Sequence, residues 1–176
     1  GQGIADELIR HHGVPPERIE RVGWVQFDQY AIPDFVGSRA DALDDLGLAP
    51  DARYILFGAY PERLGRHEPE LCRQVAALLA RVPGCILVVR CHPLDRDWKA
   101  RFGSLPPGTV VLAPELNRLD RLATQVRHAA AVLSSAGTIL LDAVALDTPA
   151  IGIALEDESE PYYDRVARRY DMEHWA

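Results

Sequence analysis

Residues 130–146 read Ala-Ala-Val-Leu-Ser-Ser-Ala-Gly-Thr-Ile-Leu-Leu-Asp-Ala-Val-Ala-Leu. A short apolar run, Ala130–Leu133, has the length of a buried strand. It passes through small and hydroxylated residues straight into an apolar helix, Thr138–Leu146, and a further strand is expected at Ala150–Ala154. Working backwards, Arg118–His128 carries helical periodicity and Thr109–Leu112 is strand-like. Cys85-Ile86-Leu87-Val88-Val89-Arg90 is near-continuously apolar. Such runs belong to parallel strands covered on both faces. Glu68–Val82 is an amphipathic helix with Leu71, Val75, Leu78, Leu79 and Val82 on one stripe, closed by Pro83-Gly84. Pro61–Gly65 is a loop, and Tyr54-Ile55-Leu56-Phe57-Gly58 is the first strand of the series. Strand and helix alternate, with a loop between the second and third strands, which predicts the α/β class: a doubly wound, mostly parallel sheet in three layers, α/β/α.

Further towards the N-terminus the pattern weakens. Asp34 is placed to cap a helix through Leu46, ended by Gly47. Gln26–Pro33 has no periodicity and reads as a linker, Ile19–Val25 as a short strand, and Ile4–His12 as a short helix stopped by Gly13 and Pro15-Pro16. The expected division is therefore 1–33 as linker, 34–155 as the α/β domain, and 156–176 as a tail packing on a partner domain. That tail opens with Glu156-Asp157-Glu158 and Glu160, a charge run, and Tyr163–Tyr170 has helical character.

The chain has 176 residues, with 48% hydrophobic and 26% charged side chains, the balance of a globular protein with one sizeable core. Nineteen basic against 26 acidic residues leave a net charge of −7. That sign argues against nucleic acid as a partner, because such binders neutralise phosphates, and it leaves a small phosphorylated ligand open. No apolar run approaches the roughly 18–20 residues that cross a bilayer, and no signal-peptide pattern opens the chain. Cys72, Cys85 and Cys91 form no C-x-x-C pair and read as reduced, buried thiols of a cytoplasmic protein. The only methionine is Met172, so a chain opening Gly-Gln-Gly is expected to have been processed or cut from something longer.

In a doubly wound sheet, ligands bind beyond the carboxyl ends of the strands. That rule singles out Gly58-Ala59-Tyr60, Arg90-Cys91-His92-Pro93, Ala113-Pro114-Glu115 and Ser134–Thr138. In the last, small residues let a ligand approach the backbone, and Ser135 and Thr138 offer hydroxyls; either would also serve as a plain helix cap. The loop is neither a Walker A loop nor G-x-G-x-x-G. His92 sits at the ligand edge, with Arg90 two residues back on the same side of the strand. An imidazole there can act as acid, base or phosphate donor, or merely cap a turn. Asp95 and Asp97 look like a solvated loop. His11, His12 and His128 read as surface or interface residues, and no His/Asp/Glu set has metal-ligand spacing.

These residues carry a resemblance. Arg90, His92 and Pro93, then Ser134, Ser135, Gly137, Thr138, Asp142, Leu146, Pro149 and Ile151, resemble the C-terminal half of GT-B-type sugar-nucleotide enzymes. The families are CDP-glycerol glycerophosphotransferases, capsule-polysaccharide transferases and UDP-N-acetylglucosamine 2-epimerases. Val22-Gly23-Trp24 with Phe27-Asp28 is similar to the segment that leaves their N-terminal domain. The glycerophosphotransferases show Asp-Tyr before Ser-Ser, where this chain has Val132-Leu133; the epimerases show Gly-Gly and then Glu-Glu, where it has Gly137-Thr138 and Leu141-Asp142.

The resemblance implies that 34–155 is a nucleotide-binding domain, the Rossmann-like half of a GT-B fold that binds a nucleotide-diphosphate donor, a linked sugar or glycerol. It also implies that 1–33 includes the end of a preceding domain. Gly58, Tyr60, Arg90, Ser134, Ser135, Gly137, Thr138 and Asp142 would bind nucleotide and diphosphate, and His92 would be catalytic. No cofactor or metal is implied, because backbone N–H groups and basic side chains take the leaving diphosphate's charge. The implied reaction is glycosyl or glycerophosphoryl transfer in cell-surface polysaccharide synthesis, with peripheral membrane association of the longer protein possible. Epimerisation or hydrolysis of a UDP-sugar is the alternative reaction. A non-catalytic interaction domain, engaging a partner through Tyr162, Tyr163 or Trp175, is the alternative without chemistry. GT-B enzymes react between two Rossmann-like domains, so a chain holding one of them is expected to bind nucleotide weakly and turn over nothing alone.

Overall fold

A computed structural model describes residues 2–135 and 137–153. The expectations for the charge run and tail from 156 onward lie outside the described residues. Among those described, five strands form one sheet: β1 (Arg53–Gly58), β2 (Cys85–Arg90), β3 (Val110–Leu112), β4 (Ala131–Ser134) and β5 (Ala150–Gly152). Six α-helices accompany them: α1 (Gln2–His12), α2 (Arg39–Asp45), α3 (Glu68–Leu79), α4 (Trp98–Phe102), α5 (Leu119–Arg127) and α6 (Ile139–Ala145). The strand order is β3-β2-β1-β4-β5, and every pairing is parallel.

Alternation along each strand builds two cores. Tyr54, Leu56, Val88 and Val132 point to one face and pack with Leu43, Leu46, Ala123, Val126, Ala143 and Leu146 from α2, α5 and α6 and their ends. Phe57, Leu87, Val89, Ala131 and Leu133 point to the other and pack with Cys72 of α3 and Phe102 of α4. This is the three-layer arrangement that the apolar runs predict. Tyr54 is fully buried, and its hydroxyl donates to the Gln125 carbonyl at 2.6 Å, so the polar tip is satisfied inside the core.

Several expectations are corrected. Ile19–Val25 is not a strand. Gly23 turns the chain with φ +75°, Val22 and Val25 stay exposed, and 3-10 turns occupy Pro16–Arg18 and Val25–Ala31. A strand needs a paired neighbour, and among the described residues none pairs with this segment. Asp34 does not cap α2; it adopts φ +62° in a turn. Ser38 is the cap, in a reciprocal box with Asp41: its Oγ accepts from Asp41 N at 3.2 Å, and the Asp41 carboxylate accepts from Ser38 N at 2.8 Å. Gly47 ends the helix as expected, with φ +65° and Leu48 N donating to the Leu43 carbonyl at 2.8 Å. In α3 the buried stripe runs through Leu71, Cys72, Val75, Ala76 and Leu79, whereas Leu78 is 62% exposed. The helix stops at Leu79, short of Val82. Helix α4 falls where the sequence reads as a solvated loop, and Asp95 just before it is buried.

Glycine at 58 is a packing requirement. A Cβ built there would lie 2.6 Å from Ile139 Cγ2, on the first turn of α6. Gly58→Ala is expected to destabilise the chain by about 1–3 kcal/mol through this overlap. Chemical denaturation of the two proteins checks it, and an unchanged midpoint would mean that α6 yields freely.

Candidate functional site

The register places predicted site residues side by side. Gly58 pairs with Arg90 on β2 and with Ser134 on β4, so three strand ends stop on one line across the sheet. Strand order reverses between β1 and β4, where crossovers leave to opposite faces. A cavity of about 540 Å³ opens there, lined by the ends of β1, β2 and β4 and by residues following β3. Gly58, Tyr60, Arg90, His92, Ser134, Gly137, Thr138 and Asp142 all line it. Its size falls within the ordinary range of small-molecule sites.

Ser135 is the exception among the predicted residues. Its side chain is buried, and its hydroxyl donates to Glu68 Oε1 at 2.6 Å. Ser134 is also committed: Oγ donates to the Gly58 carbonyl at 2.8 Å and accepts from Gly137 N at 3.1 Å. A Cβ on Gly137 would sit 2.7 Å from that oxygen, which explains the glycine. Thr138 is exposed at the cavity wall, and its side chain makes no capping bond to α6. Of the two roles open to it in the sequence, the cap is not the one adopted.

His92 follows β2. Its Nδ1 accepts the Leu94 N–H at 3.1 Å, so in the neutral ring the proton resides on Nε2. Burial holds its pKa below the usual histidine value, with Asp95 opposing. A neutral imidazole of this tautomer offers an N–H donor. Arg90 is held within the protein: it donates to Gln125 Oε1 at 2.7 Å and lies 3.7 Å from the Glu115 carboxylate. Gln125 in turn donates to Asp45 at 2.7 Å, and Arg121 bridges Asp45 and Glu115.

Asp142 lines the cavity from α6 but is tied to the N-terminal segment. Its Oδ1 accepts from Tyr30 Oη at 2.6 Å and Gln26 Nε2 at 2.7 Å. Burial raises its pKa, and these two bonds oppose that. Tyr30 continues a run of ring contacts, Trp24–Phe27–Tyr30–Phe35, that ends on the core. Gln26 and Tyr30 had no signal in the sequence, since the segment has no periodicity.

Glu68 was likewise missed. It is fully buried at the start of α3, and its Oε2 accepts the Tyr60 N–H at 2.8 Å. Desolvation pushes its carboxyl up to about 7, against the lowering effect of Ser135, Tyr60 and Arg101. The folded state therefore holds a proton here that the unfolded chain has lost above its ordinary value of 4.5. This group makes stability fall as pH rises from about 4.5 to 7. Glu68→Gln is expected to flatten that slope, read as the urea midpoint at several pH values; parallel curves for the two proteins would overturn the assignment.

Neither a family model nor a curated protein sequence matches the chain. Solved structures do match in fold. The S. aureus MnaA–UDP complex superposes with a TM-score of 0.65 at 17% identity, covering 93% of this chain and 44% of its own. UDP-GlcNAc 2-epimerase from Neisseria meningitidis, bound to UDP-GlcNAc, gives 0.63 at 15% identity, with 93% and 45% covered. A glycosyl transferase of family 9 from Veillonella parvula gives 0.51 at 11% identity, with 74% and 42% covered. The chain thus spans less than half the length of each of these proteins. The likeness is one of architecture: the chain has a Rossmann-like α/β fold, as one half of the GT-B fold has.

Proposed function

We propose that this chain is the donor-binding domain of an enzyme acting on a nucleotide-diphosphate-linked sugar or glycerol. In this reading the enzyme transfers a glycosyl or glycerophosphoryl group during surface-polysaccharide synthesis. The observation that carries it is the cavity at the strand-order reversal, where Thr138 and His92 both reach a wall built from strand ends. Backbone around Gly58, Tyr60 and Gly137 lets the diphosphate approach closely. The Thr138 hydroxyl and Arg90 meet its oxygens, Ser134 holds the Gly137 turn, and Asp142 faces a ligand hydroxyl with its second oxygen.

His92 donates from Nε2 to the leaving diphosphate as charge develops there, a preorganised electrostatic role that requires no metal. Residues 1–33 connect to a preceding domain that supplies the opposite wall of the cleft. The chain alone therefore binds nucleotide weakly and does not turn over. In the longer cytoplasmic protein, peripheral contact with the membrane would bring the acceptor to this edge.

One observation favours a second chemistry, epimerisation or hydrolysis of a UDP-sugar: the epimerase structure covers 93% of this chain, the family 9 transferase 74%. Incubating the full-length protein with UDP-N-acetylglucosamine and identifying the product separates the two.

Thermal-shift titration with CDP, UDP and GDP, free and conjugated, is expected to show stabilisation selective for one base. A flat response at millimolar ligand would favour an interaction domain instead. Thr138→Val is expected to weaken the responding nucleotide by about 1.5–3 kcal/mol, the value of a hydrogen bond to a charged group. Unchanged affinity would remove Thr138 from the site. His92→Ala in the full-length enzyme is expected to lower kcat with little change in melting temperature; a large drop in melting temperature would make His92 structural.

A further inference from the structure

Three loops of the cavity meet beneath its floor on one buried charged cluster. Glu68 takes the Ser135 hydroxyl on Oε1 at 2.6 Å and the Tyr60 N–H on Oε2 at 2.8 Å. These donors come from the loops after β4 and β1. Arg101 of α4 lies 3.5 Å from Glu68 Oε2, and its side chain is 7% exposed. It also donates to the Tyr60 carbonyl at 3.0 Å and the Gly65 carbonyl at 2.6 Å, closing both ends of the β1–α3 loop. The same guanidinium pairs with Asp95, whose side chain is fully buried. Asp95 belongs to the loop after β2, where its N–H donates to the His92 carbonyl at 2.9 Å. Gly65 has no Cβ for a reason: one would stand 2.3 Å from the Glu68 carboxylate.

We propose that the Glu68–Arg101–Asp95 cluster is a positioning device for the ligand edge, holding the loops after β1, β2 and β4 in one geometry, and that Ser135 serves this cluster rather than the ligand. The inference rests on the nucleotide-binding reading above for its ligand, though not for its coupling of the loops. Two carboxylates flank one guanidinium out of solvent; the Glu68 oxygens are met from the loops after β4 and β1, and the remaining Asp95 oxygen by the Asp97 N–H of its own loop at 3.2 Å. Breaking one member of such a buried set leaves the others uncompensated, so a loss at one loop is felt at all three. Tyr60 and His92 are thereby placed relative to Gly137 and Thr138 by groups that do not line the cavity.

The test uses this chain as wild type, Ser135→Ala, Glu68→Gln and the double variant, with UDP as probe and pH 8 throughout. Each single change is expected to weaken UDP binding about tenfold, and the double variant no more than the weaker single, because both remove the same connection. Losses that multiply to about a hundredfold would mean that Ser135 contacts the nucleotide itself, overturning the proposal. A lowered melting temperature with unchanged UDP affinity would overturn it too, making the cluster merely structural.

Amide exchange decides the coupling without any ligand. The Tyr60, Asp95 and Gly137 N–H groups are expected to exchange about tenfold faster together in either variant, while those of Ile55, Val88 and Val132 keep wild-type rates. Acceleration confined to the substituted residue's own loop would overturn the proposal. Should wild type ignore UDP, CDP and GDP alike, the nucleotide reading fails and the exchange result alone judges the cluster. Should Glu68→Gln not fold, Ser135→Ala carries the exchange arm, since it removes a single hydroxyl.

Discussion

The parallel pairing of β1 with β2 on one side and β4 on the other is the constraint on which everything else rests. It stops Gly58, Arg90 and Ser134 on one line and sends the following chain to opposite faces of the sheet. A crevice at that point follows from topology alone, since helices leaving in opposite directions cannot cover it. The approach of α6 to the end of β1 then sets the size of residue 58, because Ile139 occupies the space that a side chain would take.

Polar side chains at this edge are shared between holding the edge together and facing the cavity. Ser134 bridges β1 to the Gly137 turn, Arg90 is balanced by Gln125 and Glu115, and Asp142 is engaged by Tyr30 and Gln26. Each bond compensates a group that would otherwise be buried at a cost of about 1–3 kcal/mol. The result is a wall held by internal hydrogen bonds, with Thr138 and His92 lining the cavity.

Residues 24–35, which include the Gln26–Pro33 stretch that the sequence reads as a linker, are built into the domain. Their aromatic side chains step from solvent to the core, and Tyr30 and Gln26 end on a carboxylate of the cavity wall. This N-terminal segment is thereby in direct contact with the candidate site.

Most of the element order was legible in the sequence, because apolar periodicity and glycine or proline stops are local signals. The order and type of β1 to β5, the helices α3, α5 and α6 and the Gly47 stop follow from such signals, whereas the short α4 between β2 and β3 reads as a loop. Residues of the edge could be named from their place at strand ends, but their partners could not. Glu68 and Ser135 are 67 positions apart, and Tyr30 and Asp142 are 112 apart. Neither pair leaves a mark on its own neighbourhood; Glu68 reads as an ordinary acidic residue in a first helical turn, and Asp95 as a loop carboxylate. Only the folded sheet brings these groups together and removes the water between them, and desolvation is what turns a surface-type carboxylate into a buried acceptor that must be satisfied.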